Sequence, residues 1–362
     1  MEHFDLQAYL NNGIENIIKN ILKNTYNNLK ASIFMAKFAL TCKRAAKTRQ
    51  DWETQGIHIP PFLIASITSQ CNLHCVGCYA RSSNACTDCP PDSQLTHNEW
   101  ARIFREAKEL GIPFILLAGG EPMLCRDVLE EAGKISDILF PIFTNGTLFD
   151  ESILNLLEKR RNLIPIFSIE GGELHTDNRR GNGVYQHLLG IMDAMHSRQL
   201  LYGVSVTVTK ENIKEVTNES FIRLLHEKNC KAVFYVEYVP FDSSQQVLAP
   251  EEEERRYMEN ILSLLRTQFR QILFISFPGD EITSGGCLAA GRGFFHINSH
   301  GGAEPCPFSP YSDTNLKQIP LKDALDSPLF LKLRHNGELL GEHAGGCVLF
   351  QKKDAVEAFL KD

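Results

Sequence analysis

Between residues 62 and 269 the chain alternates short apolar runs with longer amphipathic ones, six times over. The short runs, 62–68, 113–118, 139–144, 163–169, 202–209 and 231–239, are rich in β-branched and aromatic residues and read as strands. The longer runs, about 96–110, 126–138, 150–160, 184–199, 213–227 and 250–269, repeat apolar residues at helical spacing. Strict alternation implies parallel strands, because a parallel neighbour is reached only by a crossover long enough to hold a helix. Six units suit an open, partial (βα)6 barrel of TIM type, although the alternation alone also permits a doubly wound sheet. In either form the functional loops sit at the C-terminal ends of the strands.

The first strand run leads into Cys71-Asn72-Leu73-His74-Cys75-Val76-Gly77-Cys78-Tyr79. Three thiols on a loop can surround one inorganic centre, which a regular helix or strand cannot do. C-x3-C-x2-C supplies one thiolate fewer than the four irons of a [4Fe-4S] cluster need, leaving one iron open. A structural zinc or disulfide knuckle is the alternative reading of that spacing. The chain has eleven cysteines, no apolar run long enough to span a bilayer and no signal-peptide pattern. Ligation in a reducing, anaerobic cytoplasm is therefore expected in preference to disulfides. A net charge of −7 argues against a nucleic-acid partner.

The cysteine loop resembles that of radical S-adenosylmethionine (SAM) enzymes, where the open iron chelates the amino and carboxylate groups of SAM. Tyr79 matches the family's common ending, while the position before the third cysteine, usually aromatic or His, is Gly77. Gly119-Gly120-Glu121-Pro122 follows the second strand; its glycines allow close backbone approach and Glu121 offers an acceptor for an ammonium group. The motif is similar to the family's GGEP, which contacts the methionine amino group. Asn145, in Thr144-Asn145-Gly146, reads equally as a turn former and as a cofactor contact. Alternation puts Ser168 and Glu170 on one face, with Arg179 and Arg180 beyond. The resemblance implies contacts to the SAM ribose there, with an arginine reaching the carboxylate. Sequence does not choose between the two arginines, and a solvated charged loop is the alternative. Ser205 and Thr207 are polar positions on an otherwise buried strand, and Glu237 and Tyr238 could line a pocket. The run 251–256 reads as a solvated first helical turn.

Residues 1–50 carry eight basic and three acidic residues, with Ile14, Ile17, Ile18, Ile21, Leu22, Leu29, Ile33 and Phe34 at helical spacing. One or two amphipathic helices covering the open end of the barrel are expected. Peripheral contact with an anionic membrane or a lipid-like substrate is the less favoured alternative. Beyond residue 270, Cys287, Cys306 and Cys347 lie in Gly- or Pro-rich contexts, where backbone amides can reach sulfur. This region resembles the SPASM and Twitch auxiliary-cluster domains but lacks the run of a second auxiliary cluster, implying one auxiliary [4Fe-4S] cluster. Cys86 and Cys89, on an insertion after the first loop, could complete that site, bind a separate metal or form a redox dithiol. Cys42, Cys125 and Cys230 are expected to be unligated.

The expected organisation is an α/β chain with a helical extension at 1–58, a radical SAM core at 59–270 and a small auxiliary-cluster domain at 271–362. The resemblance implies an enzyme that reductively cleaves SAM to a 5′-deoxyadenosyl radical, with no catalytic side chain assigned beyond the cluster. A flavodoxin- or ferredoxin-type donor would supply the electron. An auxiliary cluster suits an oxidative modification of a peptide or protein. A lipid-like or other small-molecule substrate is the alternative, and an iron–sulfur electron carrier without turnover is the reading from another class.

Overall fold

The expected parallel strands are present and joined by three more in one sheet, in a computed structural model that describes residues 6–24, 28–89, 93–241, 243–340 and 347–361. They are β1 (Phe62–Thr68), β2 (Phe114–Gly119), β3 (Phe140–Thr144), β4 (Leu163–Ser168), β5 (Gly203–Val208), β6 (Ala232–Glu237), β7 (Leu273–Phe277), β8 (Phe294–Ile297) and β9 (Ala303–Glu304). Their order is β7-β6-β5-β4-β3-β2-β1-β8-β9, and only the β8–β9 pair is antiparallel. Because β7 and β8 lie at opposite ends of the parallel series, the barrel stays open. Both are short strands from the segment expected to form a separate domain, so the sheet runs across residue 270. Their side chains join the same core.

The helices are α1 (Leu6–Asn24), α2 (Leu29–Glu53), α3 (Tyr79–Ser82), α4 (His97–Glu109), α5 (Arg126–Lys134), α6 (Glu151–Lys159), α7 (Glu173–Arg180), α8 (Val184–Ser197), α9 (Ile213–Val216), α10 (Glu219–Glu227) and α11 (Glu252–Gln268). Five more, α12 (Leu321–Ala324), α13 (Pro328–His335), α14 (Gly337–Leu340), α15 (Val348–Gln351) and α16 (Lys353–Lys361), finish the described chain. Local signals set their limits. Thr96 and Glu99 form a capping box at α4. Asn218 caps α10 and splits the helix expected over 213–227. A helix, α7, stands where a charged loop was the alternative, with Glu173 in its first turn and both arginines in its last, as the helix dipole favours.

Each strand shows one face to the helices and one to the barrel interior. Leu63, Ala65 and Ile67 of β1 pack in one cluster with Trp100, Phe104 and Ala107 of α4. Opposite them, Phe62, Ile64 and Ser66 face inward. The interior is divided along its length. Ile164 and Ile166 of β4, with Phe114, Phe143 and Phe234, form a second cluster with Ile18 of α1 and Met35, Phe38 and Cys42 of α2. Buried Arg49 of α2 donates to the carbonyl of Gly111 at 2.5 Å, just before β2, which fixes the helix pair to the start of the strands. The expected apolar stripe is therefore corrected: Leu29 and Ile33 are exposed, and α2 buries Ala31, Met35, Phe38 and Cys42 instead. The side chains of Ile17 and Ile21 lie outside the described residues. No helix among the described residues is long and apolar enough to cross a membrane.

Candidate active site

With the start of the barrel filled, the polar interior positions cluster at the strands' C-terminal ends, around the cysteine loop. Ser66 pairs in register with Ala118, and Ser168 with Ser205, whose hydroxyls lie 3.3 Å apart. The loop itself is stitched to its neighbour. The Gly120 amide donates to the Thr68 carbonyl and the Glu121 amide to the Gln70 carbonyl, each at 2.8 Å. A Cβ on Gly120 would lie 2.0 Å from the Gln70 oxygen, and one on Gly119 2.1 Å from the Thr68 oxygen. Gly119 also has φ +123°, which other residues avoid. The two glycines thus let the second strand's end close against the cysteine loop.

Glu121 is buried, and both its oxygens are used within the protein. One accepts from the Thr144 hydroxyl at 2.6 Å and the Met123 amide at 3.1 Å, the other from the Asn145 amide at 2.8 Å. Burial pushes its carboxyl up to about 7, against the pull of those donors. Pro122 opens a short turn behind it. Asn145 in turn donates to Asn72 of the cysteine loop at 2.9 Å and accepts from the Thr147 amide. The carboxylate and Asn145 therefore hold the ends of β2 and β3 and the cysteine loop together.

Buried Glu170 accepts from the Thr207 amide at 3.0 Å and from Arg180. Arg180 also approaches the Cys75 sulfur at 3.9 Å, whereas Arg179 lies with its guanidinium 5.8 Å from the centre of the Tyr238 ring. The Val76 amide donates to the Arg179 carbonyl at 2.9 Å, so the end of α7 docks on the cysteine loop. Burial pushes the Cys75 thiol up, opposed by Arg180. Gly77 has φ +66°, and a Cβ there would lie 2.6 Å from the Tyr238 hydroxyl. Tyr238, the residue after β6, thus fills the space over Gly77, a contact that sequence spacing could not reveal.

Tyr79 joins the two cysteine sets. Its ring meets Phe308 edge-on at 5.0 Å and Phe241 at 6.3 Å, and Phe241 meets Phe350 at 4.5 Å. Phe308 and Phe350 lie two and three residues beyond Cys306 and Cys347. Burial pushes the Tyr79 phenol up, with Cys78 on one side and Cys306 on the other adding to the effect. Cys306, Cys347 and Cys287 lie within electrostatic reach of one another. Glu281 is buried beside this set and pushed up to about 8 by burial and by Cys347. Cys86 is buried within electrostatic reach of Cys71, while Cys89 is exposed. Gly345 and Gly346 lie outside the described residues. Among the described residues no three His, Cys, Asp or Glu side chains converge on one metal ion.

Sequence reasoning also missed His296. Its Nε2 lies 2.7 Å from the Ser66 hydroxyl and its Nδ1 2.7 Å from Glu304, both the ring and the carboxylate being buried. His296 pairs in register with Ile64, so it shares the inner face of β1. A lone His on a strand outside the alternating pattern carries no spacing signal. Cys42 and Cys230 are buried with thiols pushed to about 12, and Cys125 is half-buried with its thiol raised by burial. The pair Glu237 and Arg255 is bidentate, so the charge run at 251–256 is not wholly solvated.

An open parallel barrel with three thiols on the loop after its first strand defines a cofactor-dependent α/β enzyme with its site at the strand ends. The family model for the radical SAM superfamily matches residues 65–219, so the chain carries a radical SAM domain. It is 28% identical over 312 residues to the AdoMet-dependent heme synthase of Methanosarcina barkeri, covering 78% of this chain and 87% of that one. It is 22% identical over 258 residues to the PqqA peptide cyclase of Rhizobium meliloti, covering 68% of each. Streptococcus suis SuiB, solved with its precursor peptide SuiA, has the same fold: TM-score 0.66 and 18% identity, over 83% of this chain and 72% of SuiB.

Members of the superfamily bind a [4Fe-4S] cluster and SAM. The residues fit such a group. Cys71, Cys75 and Cys78 offer three thiols on one loop, and Arg180, whose guanidinium approaches the Cys75 sulfur at 3.9 Å, has a buried Nε with no hydrogen-bond partner.

Proposed function

We propose that this enzyme oxidises a peptide by net removal of two hydrogens; Cys287, Cys306 and Cys347 would hold an auxiliary [4Fe-4S] cluster, which would supply the one-electron acceptor that such a reaction needs. The observation that supports this reading is the contact between the two cysteine-bearing segments: the ring of Tyr79, directly after Cys78, meets edge-on at 5.0 Å the ring of Phe308, two residues beyond Cys306. When bound, the first cluster and SAM supply the hydrogen-abstracting radical. The chain's own groups orient and shield. Gly119, Gly120 and Pro122 shape the backbone against the cysteine loop, while Arg180, held by Glu170, presents a guanidinium for the SAM carboxylate. Ser168 and Ser205 face the same interior and suit the ribose hydroxyls. The rings of Tyr79, Phe308, Phe241 and Phe350 form a wall that excludes water and competing hydrogen donors. His296, its Nδ1 held by Glu304, takes the proton the oxidised substrate gives up, through Nε2.

A peptide substrate is supported by the shared fold of SuiB and by the relation to a peptide cyclase. A second reading, a carboxylate-bearing tetrapyrrole, is favoured by the heme synthase relative, which matches over most of both chains. A low-potential donor of flavodoxin or ferredoxin type completes either scheme. The test is 5′-deoxyadenosine formation by the anaerobically reconstituted enzyme with dithionite and SAM, alone, with a synthetic peptide library, or with iron coproporphyrin III. Stimulation by peptides with a mass loss of about two hydrogens supports the proposal; stimulation by the porphyrin alone selects the second reading. Absence of any 5′-deoxyadenosine overturns both. His296→Gln is expected to keep 5′-deoxyadenosine formation while product yield falls.

A further inference from the structure

Helix α2 has two apolar faces, and the fold uses one of them. Ala31, Met35, Phe38 and Cys42 are buried, the last three among side chains of α1 and the start of the barrel. On the opposite side Leu29, Ile33, Ala36 and Leu40 follow at intervals of four, three and four residues, which sets them in one line along the helix. Leu29 is 72%, Ile33 48% and Leu40 60% exposed, and Ala36 is exposed between them. Single apolar side chains on a surface are ordinary; a line of them running about 16 Å along one helix is not. Cations border that line. On a helical projection Lys30, Lys37 and Arg44 fall on one side of it, Lys43 on the other and Lys47 at its end, all exposed. No Asp or Glu occurs between residues 28 and 50, in a chain whose net charge is −7. The positive charge is therefore concentrated where the exposed apolar line is.

We propose that the outer face of α2 docks the protein on an anionic lipid bilayer: Leu29, Ile33 and Leu40 enter the boundary between headgroups and acyl chains, while Lys30, Lys37, Lys43 and Arg44 meet lipid phosphate. Both features of the face are matched by such a surface, since long basic side chains reach headgroups while the apolar line between them is buried. No described helix is long and apolar enough to cross a membrane, so α2 lies on the surface. A second copy of the chain fits the face poorly, because a symmetric contact would set cations against cations. An acidic electron donor gains nothing here: α2 covers the start of the strands, and the first cysteine loop lies at their far end. Docking through α2 leaves that end clear for substrate and donor. The inference is independent of the reaction proposed above.

The test is flotation of the full-length reconstituted protein with vesicles of phosphatidylcholine, alone or mixed with phosphatidylglycerol. Binding to the mixed vesicles alone, weakened by salt, is expected. Joint substitution Leu29→Gln, Ile33→Gln and Leu40→Gln should lower the partition coefficient at least tenfold, and Lys37→Gln with Arg44→Gln about tenfold. Thermal unfolding and 5′-deoxyadenosine formation serve as controls and should not change, because these side chains touch neither the core nor the cysteine loops. No flotation with mixed vesicles overturns the inference. Equal binding to both vesicles overturns it, as does binding that survives both sets of substitutions. A dimer that the triple substitution converts to monomer, without vesicle binding, assigns the face to a second copy instead. Retention on immobilised polyglutamate without vesicle binding assigns it to an acidic protein, and either result overturns the inference.

Discussion

Glu121 provides a quantitative test of how the strand ends are held. Its carboxyl is fully enclosed and raised from the ordinary 4.5 to about 7, because desolvation outweighs the donors from Thr144, Asn145 and Met123. A folded-state value above the unfolded one means that the native protein holds a proton the unfolded chain has already released. The stabilising contribution is therefore complete below about pH 4.5 and is lost as pH rises through 7; a displacement of this size corresponds to about 3 kcal/mol. Glu121→Gln has the shape of the neutral acid and does not titrate. The variant should match wild type within about 1 kcal/mol at pH 5, where the native carboxyl is protonated. At pH 8 it should be the more stable protein by roughly 2–3 kcal/mol. For a chain of 362 residues that is a melting-temperature advantage of about 3–4 °C, taking roughly 2.1 cal/mol/K of unfolding entropy per residue. The assay is thermal unfolding of the cluster-free, thiol-reduced proteins from pH 5 to 8, with amide exchange at Asn145 as a local check. Other titrating groups cancel in the difference. A gap that stays constant with pH would refute the reasoning, since it would show that Glu121 does not change its charge over this range.

Three further outcomes follow from the same contacts. Gly120→Ala places a Cβ 2.0 Å from the Gln70 carbonyl and must part the cysteine loop from β2; iron incorporation after reconstitution should fall sharply, and normal iron would count against the close approach. Arg180→Gln removes the guanidinium beside Cys75 and is expected to weaken SAM binding about tenfold or more by equilibrium dialysis, while Arg179 keeps Glu170 paired; unchanged affinity would point to another anion-binding group. Diamide treatment of the cluster-free protein should join Cys71 to Cys86, read as a cross-linked peptide by mass spectrometry; a Cys86–Cys89 link would show that the insertion does not hold its seat on the loop.

What could be read from the sequence was whatever repeats or is contiguous. The strand runs and most helices follow from local periodicity, and the cysteine triplet, Gly119-Gly120 and Arg179-Arg180 are contiguous motifs on strand-end loops. Contacts between distant segments left no such trace. Tyr238 fills the space over Gly77 from a different strand, and the register between β1 and β8 that brings His296 to Ser66 depends on a strand of four residues. Cys86 was visible as a residue, but its seat depends on a backbone bridge between Gln70 and Thr87 that side-chain spacing does not encode. The two arginines of α7 were separable only once the helix set their directions, one toward Cys75 and one over Tyr238.

The position of the site also depends on where the N-terminal helices go. An open barrel exposes its interior, and the first half of that interior is apolar: Ile164, Ile166, Phe114, Phe143 and Phe234. Left to water, these side chains would favour association over a defined cavity. Met35 and Phe38 cover them, Phe38 lying 1% exposed and edge-on to Phe114 at 5.5 Å. Only the polar half, with Ser66, Ser168 and Ser205, is then left for cofactor and substrate. Phe38→Ala should cost about 3–5 kcal/mol, the range for emptying a well-packed aromatic site. Leu40→Ala, on the same helix but 60% exposed, should cost less than about 0.5 kcal/mol. Thermal unfolding with light scattering separates the two. If both variants melt together, the helix pair does not plug the barrel, and the apolar half of the interior must be covered in some other way.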